Sequence, residues 1–183
     1  MTTIAIVVGH REKSQGTVSC DGVPEWCWNV PLAHAVADAL RDQGYEAHVV
    51  TRPNFKSGNV TRLVNALNKL DPTAIVSLHH NGGPQDATGS ETLCYPGSRV
   101  GMALADAVQR QVVACLGLAD RGVKQTTHNF AKKPKKLRVL TDTNAPTIIV
   151  ETHFAWNPDD RRVANANKDA LAQAIANGIA AVV

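Results

Sequence analysis

The sequence predicts an α/β protein: a three-layer αβα arrangement around a twisted, mostly parallel central sheet. Two observations predict it. Short apolar, β-branched runs alternate along the chain with stretches whose apolar residues recur at helical spacing. Those runs are apolar throughout instead of alternating with polar residues, which is the pattern of strands covered on both faces.

Ile4 to Val8 is the first such run and reads as a central strand, ending at Gly9-His10. Arg11 to Pro24 is polar, contains Gly16 and Gly22, and reads as a loop. From Val30 the period is helical: Val30, Ala33, Ala37 and Leu40 share a face, with Gly44 as the stop. Glu25 therefore falls at or just before a first helical turn, where a carboxylate is ordinary dipole chemistry. Ala47 to Val50 is a second strand, and Val60, Leu63, Val64, Leu67 and Leu70 mark a second helix closed by Asp71-Pro72.

Thr73 to Val76 is the next buried strand, and it delivers Ser77-Leu78-His79-His80-Asn81 before two glycines. Gly89 to Tyr95 reads as a strand, and Val100 to Cys115 as a helix ended by Gly117. Asp120 to Leu140 reads as irregular and basic, with Lys132, Lys133, Lys135, Lys136 and Arg138 around Pro134. Thr147 to Val150 is the last buried strand and ends at Glu151. Asn157-Pro158-Asp159-Asp160 is a capped helix start, and one final helix is expected to bury Val163, Leu171, Ile175, Ile179 and Val182.

Composition narrows the function. At 183 residues one domain, spanning 1–183, is expected, with enough chain for a proper core. An aromatic fraction of 4% argues against a base-stacking platform, and a net charge of +3 gives only a mild pull toward anionic surfaces. The four cysteines show no CxxC spacing, so free thiols are expected instead of a four-sulfur metal site. The N-terminal apolar run is too short for a signal peptide or a membrane span, so no membrane insertion is expected.

Three strand ends thus carry ionisable groups, His10, His79 and Glu151, and a helix start carries Glu25. In a parallel sheet, strand C-termini and helix N-termini share one edge, so these residues can converge. Two histidines and one glutamate with an open position form a catalytic zinc set, and a further carboxylate then manages protons. The bland alternatives are a hydrogen-bonded cap for a histidine and a salt bridge to arginine for Glu151. Walker, dinucleotide and GxSxG patterns are absent.

The order of motifs carries a resemblance. Gly9-His10, Glu25 with Asn29 and Ala33, Thr51-Arg52, Ser77 to Asn81, Gly89-Ser90-Glu91-Thr92, Asp120 to Lys124 and Pro146 to Glu151 follow one another along nearly the whole chain. In this the sequence resembles the zinc N-acetylmuramoyl-L-alanine amidases of the third amidase family, the type found in bacterial cell-wall enzymes and phage endolysins. The resemblance implies one catalytic Zn²⁺ on His10, Glu25 and His79, with Glu151 as the catalytic carboxylate. Asn81 and His153 are the candidate substrate contacts, with a surface or hydrogen-bonded role as the alternative for His153. The implied substrate is peptidoglycan or its muropeptides, cut at the amide between N-acetylmuramic acid and L-alanine. Three places depart from the family pattern: Arg11-Glu12, His80 and Thr152-His153. By the family's S-x-H-x-N spacing, His79 is the ligand and His80 faces the other way.

The expected setting is a compact endolysin without a separate wall-binding domain, made in the cytoplasm and acting on the wall after release. The basic loop Lys132–Arg138 offers weak attraction to anionic wall polymers, and no nucleic-acid partner is expected. A zinc carboxypeptidase on a related fold, with Arg52 or Arg121 as its clamp, and a metal-free binding module are the competing readings.

Overall fold

The computed structural model describes residues 1–54, 59–131 and 133–183. Lys132 of the basic loop lies outside the described residues. The elements are β1 (Thr3–Val8), α1 (Glu25–Asp42), β2 (Glu46–Val50), α2 (Asn59–Leu70), β3 (Ala74–Asn81), β4 (Ser90–Cys94), α3 (Arg99–Leu116), β5 (Asp120–Gln125), α4 (Arg138–Thr141), β6 (Thr147–Phe154), α5 (Pro158–Ala166) and α6 (Lys168–Ala180). The strands form one six-stranded sheet in the order β2-β1-β3-β6-β4-β5. Every pair is parallel except β4 with β6.

Alternation along each strand divides the core. Ile4, Ile6, Val8, Val76, Leu78, Ile148 and Val150 face a large cluster that also takes the buried stripes of α1, α3 and α6. Ala5, Val7 and Ile75 face the other way, against Leu63 and Leu67 of α2. Leu93 and Ile149 continue that second face against Leu140 of α4. The sheet is therefore covered on both faces, and the fold is the three-layer α/β sandwich the apolar runs predict.

Three elements differ from expectation: the short helix α4 (Arg138–Thr141) lies in the stretch read as irregular. Asp120–Gln125 is an edge strand, not irregular chain. As an edge strand it is half-exposed and needs no apolar run, so nothing in its composition signals it. The last helical stretch is two helices, α5 and α6, broken at Asn167. There the backbone turns off helical geometry at φ −111°, ψ 18°, with no glycine or proline to announce it. The expected cap does form: Asn157 Oδ1 accepts from the backbone N–H groups of Asp159 and Asp160.

Candidate metal centre

The site lies at the edge where β1, β3 and β6 end. His10 follows β1 on a left-handed backbone (φ 62°), which turns its ring back over the sheet edge. His79 is near the end of β3, and Glu25 is the first residue of α1. His10 Nε2 lies 3.1 Å from Glu25 Oε2, and His79 Nδ1 lies 2.9 Å from Glu25 Oε1. The three residues each offer one ligand atom, all within 4.8 Å of one another. A tetrahedral ion about 2.1 Å from each donor wants donors about 3.4 Å apart, so the set fits zinc in both chemistry and spacing.

Backbone holds this cluster closed. Thr17 N–H donates to Glu25 Oε2 at 3.2 Å and His80 N–H to Glu25 Oε1 at 3.3 Å. Two glycines leave no room for a side chain. A Cβ on Gly9 would fall 2.5 Å from the His79 ring, and one on Gly16 would fall 2.5 Å from Glu25 Oε2. Burial alone would raise the Glu25 carboxyl, but hydrogen bonds from His10 and His79 hold it well below the usual carboxylate range. Glu25 is therefore an anion aimed at two imidazoles.

Glu151 pairs directly with His79 across β3–β6 and with Glu91 across β4–β6. Its Oε2 is sealed from water and has no hydrogen-bond partner. Burial, then the charges of Glu25 and Glu91, push its carboxyl well above the usual range. The salt bridge to arginine that a buried carboxylate invites is made by Glu91 instead, with Arg121 Nε 3.0 Å from its Oε2. Asn81 Nδ2 donates to the other Glu91 oxygen at 3.0 Å.

A cleft of about 410 Å³ opens over these groups and is lined by His10, Glu25, His79, Asn81, Glu91 and Glu151, with Phe130 at its rim. His153, expected as a substrate contact, is not in it. It is fully buried behind the sheet, with its ring 5.0 Å from that of His80 and 4.7 Å from that of Trp28. The cause is a bulge: between His79 and Asn81, β3 advances two residues while β6 advances three, from Glu151 to Phe154. Glu151 and Phe154 thus share the cleft side, and His153 turns away. Two of the family departures, His80 and His153, are therefore one buried contact.

From the sequence, Glu91 appears only within a motif, and Arg121 has a place only as a clamp in the competing carboxypeptidase reading. The antiparallel β4 brings its first residues to the edge where the parallel strands end, and no local signal marks that reversal. Of the basic loop, Lys136 and Arg138 are tied to Asp142 at 2.9 and 2.7 Å, leaving Lys133 and Lys135 exposed. All four cysteines are free thiols. Among the described residues no helix is long and apolar enough to cross a membrane.

Two imidazoles and a carboxylate meet at the carboxyl edge of an open α/β sheet, with the Glu151 carboxyl alongside, a donor set that could hold one metal ion. Residues 4–181 match the family model described as N-acetylmuramoyl-L-alanine amidase, and the chain belongs to that family. It is 28% identical over 182 residues to the uncharacterized protein YqiI of Bacillus subtilis, covering 97% of this chain and 82% of that protein. It is 29% identical over 182 residues to the N-acetylmuramoyl-L-alanine amidase LytC of the same organism, covering 96% of this chain and 34% of LytC, so it spans about a third of that relative's length. The crystal structure of an N-acetylmuramoyl-L-alanine amidase from Clostridium difficile 630 superposes with a TM-score of 0.82 at 26% identity, covering 98% of this chain and 95% of that one.

Proposed function

We propose that this chain carries out its family's reaction, hydrolysis of the amide between N-acetylmuramic acid and L-alanine in peptidoglycan, with zinc on His10, Glu25 and His79 and with Glu151 as the proton carrier. The observation that carries this reading is the Glu151 carboxyl, one oxygen of which is sealed and unpartnered, paired in register with the ligand-bearing strand beside the three-residue cluster. When bound there, zinc supplies a Lewis acid and lowers the pKa of water toward about 7.

The chain's own groups do the rest. Glu151 takes a proton from the attacking water and gives it to the departing alanine nitrogen. The carbonyl carbon gains the hydroxyl, the C–N bond breaks, and the amine leaves with that proton. Glu91, held by Arg121 and Asn81, keeps negative charge next to Glu151, which favours the protonated state needed at the moment of leaving. Asn81 lines the cleft, which supports its assignment as a substrate contact. We place the reaction in wall lysis of the endolysin type, with 1–183 acting as one catalytic domain and with peptidoglycan as its partner.

The test is end-group analysis. Zinc-loaded protein acting on purified peptidoglycan should release lactyl-ended glycan and new L-alanine amines. New terminal carboxylates without L-alanine amines would point instead to the carboxypeptidase. Binding without any new ends would point to a non-catalytic module.

A further inference from the structure

The cleft does not end at Glu91. An arm of about 440 Å³ continues toward the sheet edge, lined by Asn81, Glu91, Arg121, Lys124, Phe130 and Phe154 among others. Two cations reach it from one strand. In regular β structure, residues three apart point to opposite faces. Here β5 advances from Asp120 to Val123 while β4 advances only from Ser90 to Thr92. The extra residue is taken up at Gly122, whose φ of 74° suits such a bulge. Arg121 and Lys124 therefore share the cleft face.

Their roles differ. Arg121 is committed: its Nε pairs with Glu91, and its guanidinium lies 4.9 Å from the centre of the Phe154 ring. Lys124 stands opposite Leu93, which lines the central cleft. Among the described residues Lys124 forms no ion pair, so an ammonium half-shielded by the arm has no anion of its own.

We propose that Lys124 is a specificity residue that takes the free α-carboxylate the second stem-peptide residue keeps when it is joined to the third through its side chain, with Arg121 behind it as the fixed cation. The inference rests on the amidase reading above, because that reading sets direction. Across the sheet the order is β1 with His10, β3 with His79, β6 with Glu151, β4 with Glu91, then β5. The nitrogen that Glu151 protonates must lie on its side of the metal cluster, so the peptide runs on over β4 toward β5. Two strand spacings separate β6 from β5, about 10 Å. Two extended residues cover about 7 Å, and the lysine side chain spans the remainder. The second residue's carboxylate is thus the anion that meets the ammonium.

The experiment uses the zinc-loaded protein and two synthetic muramoyl tripeptide amides. They differ only in whether the second residue carries a free α-carboxylate or its carboxamide. The wild-type protein should prefer the acid by about tenfold in kcat/KM, mostly in KM, as a charge-assisted contact predicts. Lys124→Gln should bring that ratio near one, and Lys124→Glu should reverse it. Equal cleavage of both substrates by wild type, or a preference that survives Lys124→Glu, overturns the proposal and leaves the amidase reading intact. Cleavage of neither substrate at the alanine amide removes both.

Discussion

Glu91 and Glu151 are direct cross-strand partners on the one antiparallel pair in the sheet, and only Glu91 is held by a cation. Glu91 is held by Arg121 at 3.0 Å and by Asn81 at 3.0 Å, while Glu151 keeps an oxygen sealed from water with no partner at all. Like charges facing each other across strands destabilise a sheet. Burial, then the Glu25 and Glu91 charges, raise the Glu151 carboxyl, so of the two carboxylates it is the stronger base.

The ligand set predicts a pattern of metal loss. His10→Ala, Glu25→Ala and His79→Ala should each lose most bound zinc, measured by elemental analysis of dialysed protein. His80→Ala should retain it, because the His80 ring packs against Trp28 and His153 and its Nε2 stays 4.0 Å from Glu25 Oε2, outside the three-residue ligand cluster. If His80→Ala empties the site and His79→Ala does not, the register of β3 is misread by one residue.

Gly16 predicts that backbone shape and metal affinity are linked. Gly16→Ala must hold a left-handed φ of 81° and push a methyl against Glu25 and His10. The strain alone costs roughly 1–2 kcal/mol. Competition with a chromophoric chelator should show zinc affinity falling along with melting temperature. Unchanged affinity would mean that the Thr17–Glu25 loop does not shape the site.

The buried histidines predict acid lability. Burial lowers His80 to about 4, and the ring of His153 is held well below its ordinary value, again by burial first. The His80 ring faces Trp28 and His153, with Glu25, His79 and Arg161 close enough to act on its charge. Both histidines fold neutral, so the unfolded chain binds more protons. Stability is fully present above pH 6.5 and is lost as pH falls toward 4, at up to about 1.4 kcal/mol per pH unit for each group. Denaturant melts of chelator-treated protein should show that slope, and His80→Asn should make it shallower. An unchanged slope would assign the acid loss elsewhere.

How much of this was legible in the sequence follows from how local each signal is. The strands carrying His10, His79 and Glu151 announce themselves as apolar runs because both faces are covered, and Glu25 is marked by the helix it starts. His153 was misplaced because alternation puts residues 151 and 153 on one face, and a bulge is invisible without the partner strand. The α5–α6 break and the β5 edge strand left no compositional mark. Glu91 and Lys124 enter the cleft only through the antiparallel pairing of β4 and the bulge at Gly122, which are properties of the assembled sheet.

The basic loop predicts a salt-dependent effect. Lys133 and Lys135 are exposed and form no ion pair among the described residues, whereas Lys136 and Arg138 are engaged by Asp142. Replacing Lys133 and Lys135 with Gln should slow lysis of intact walls at low salt. It should matter little at about 1 M, where screening falls to about 3 Å. An equal loss at both salt levels, or on a soluble muropeptide, would mean that the loop shapes the cleft.

The most direct test of the account is one variant, Glu151→Gln, measured for zinc content, melting temperature and hydrolysis of a single defined muropeptide. Gln keeps the size and removes the proton. A positioned acid–base group contributes about 10²–10⁴-fold in rate. Glu151→Gln should therefore lose activity by roughly that factor while zinc stays stoichiometric and melting stays near that of the wild type. Activity within a few-fold of wild type, with zinc bound, would contradict the assignment of Glu151 as the proton carrier.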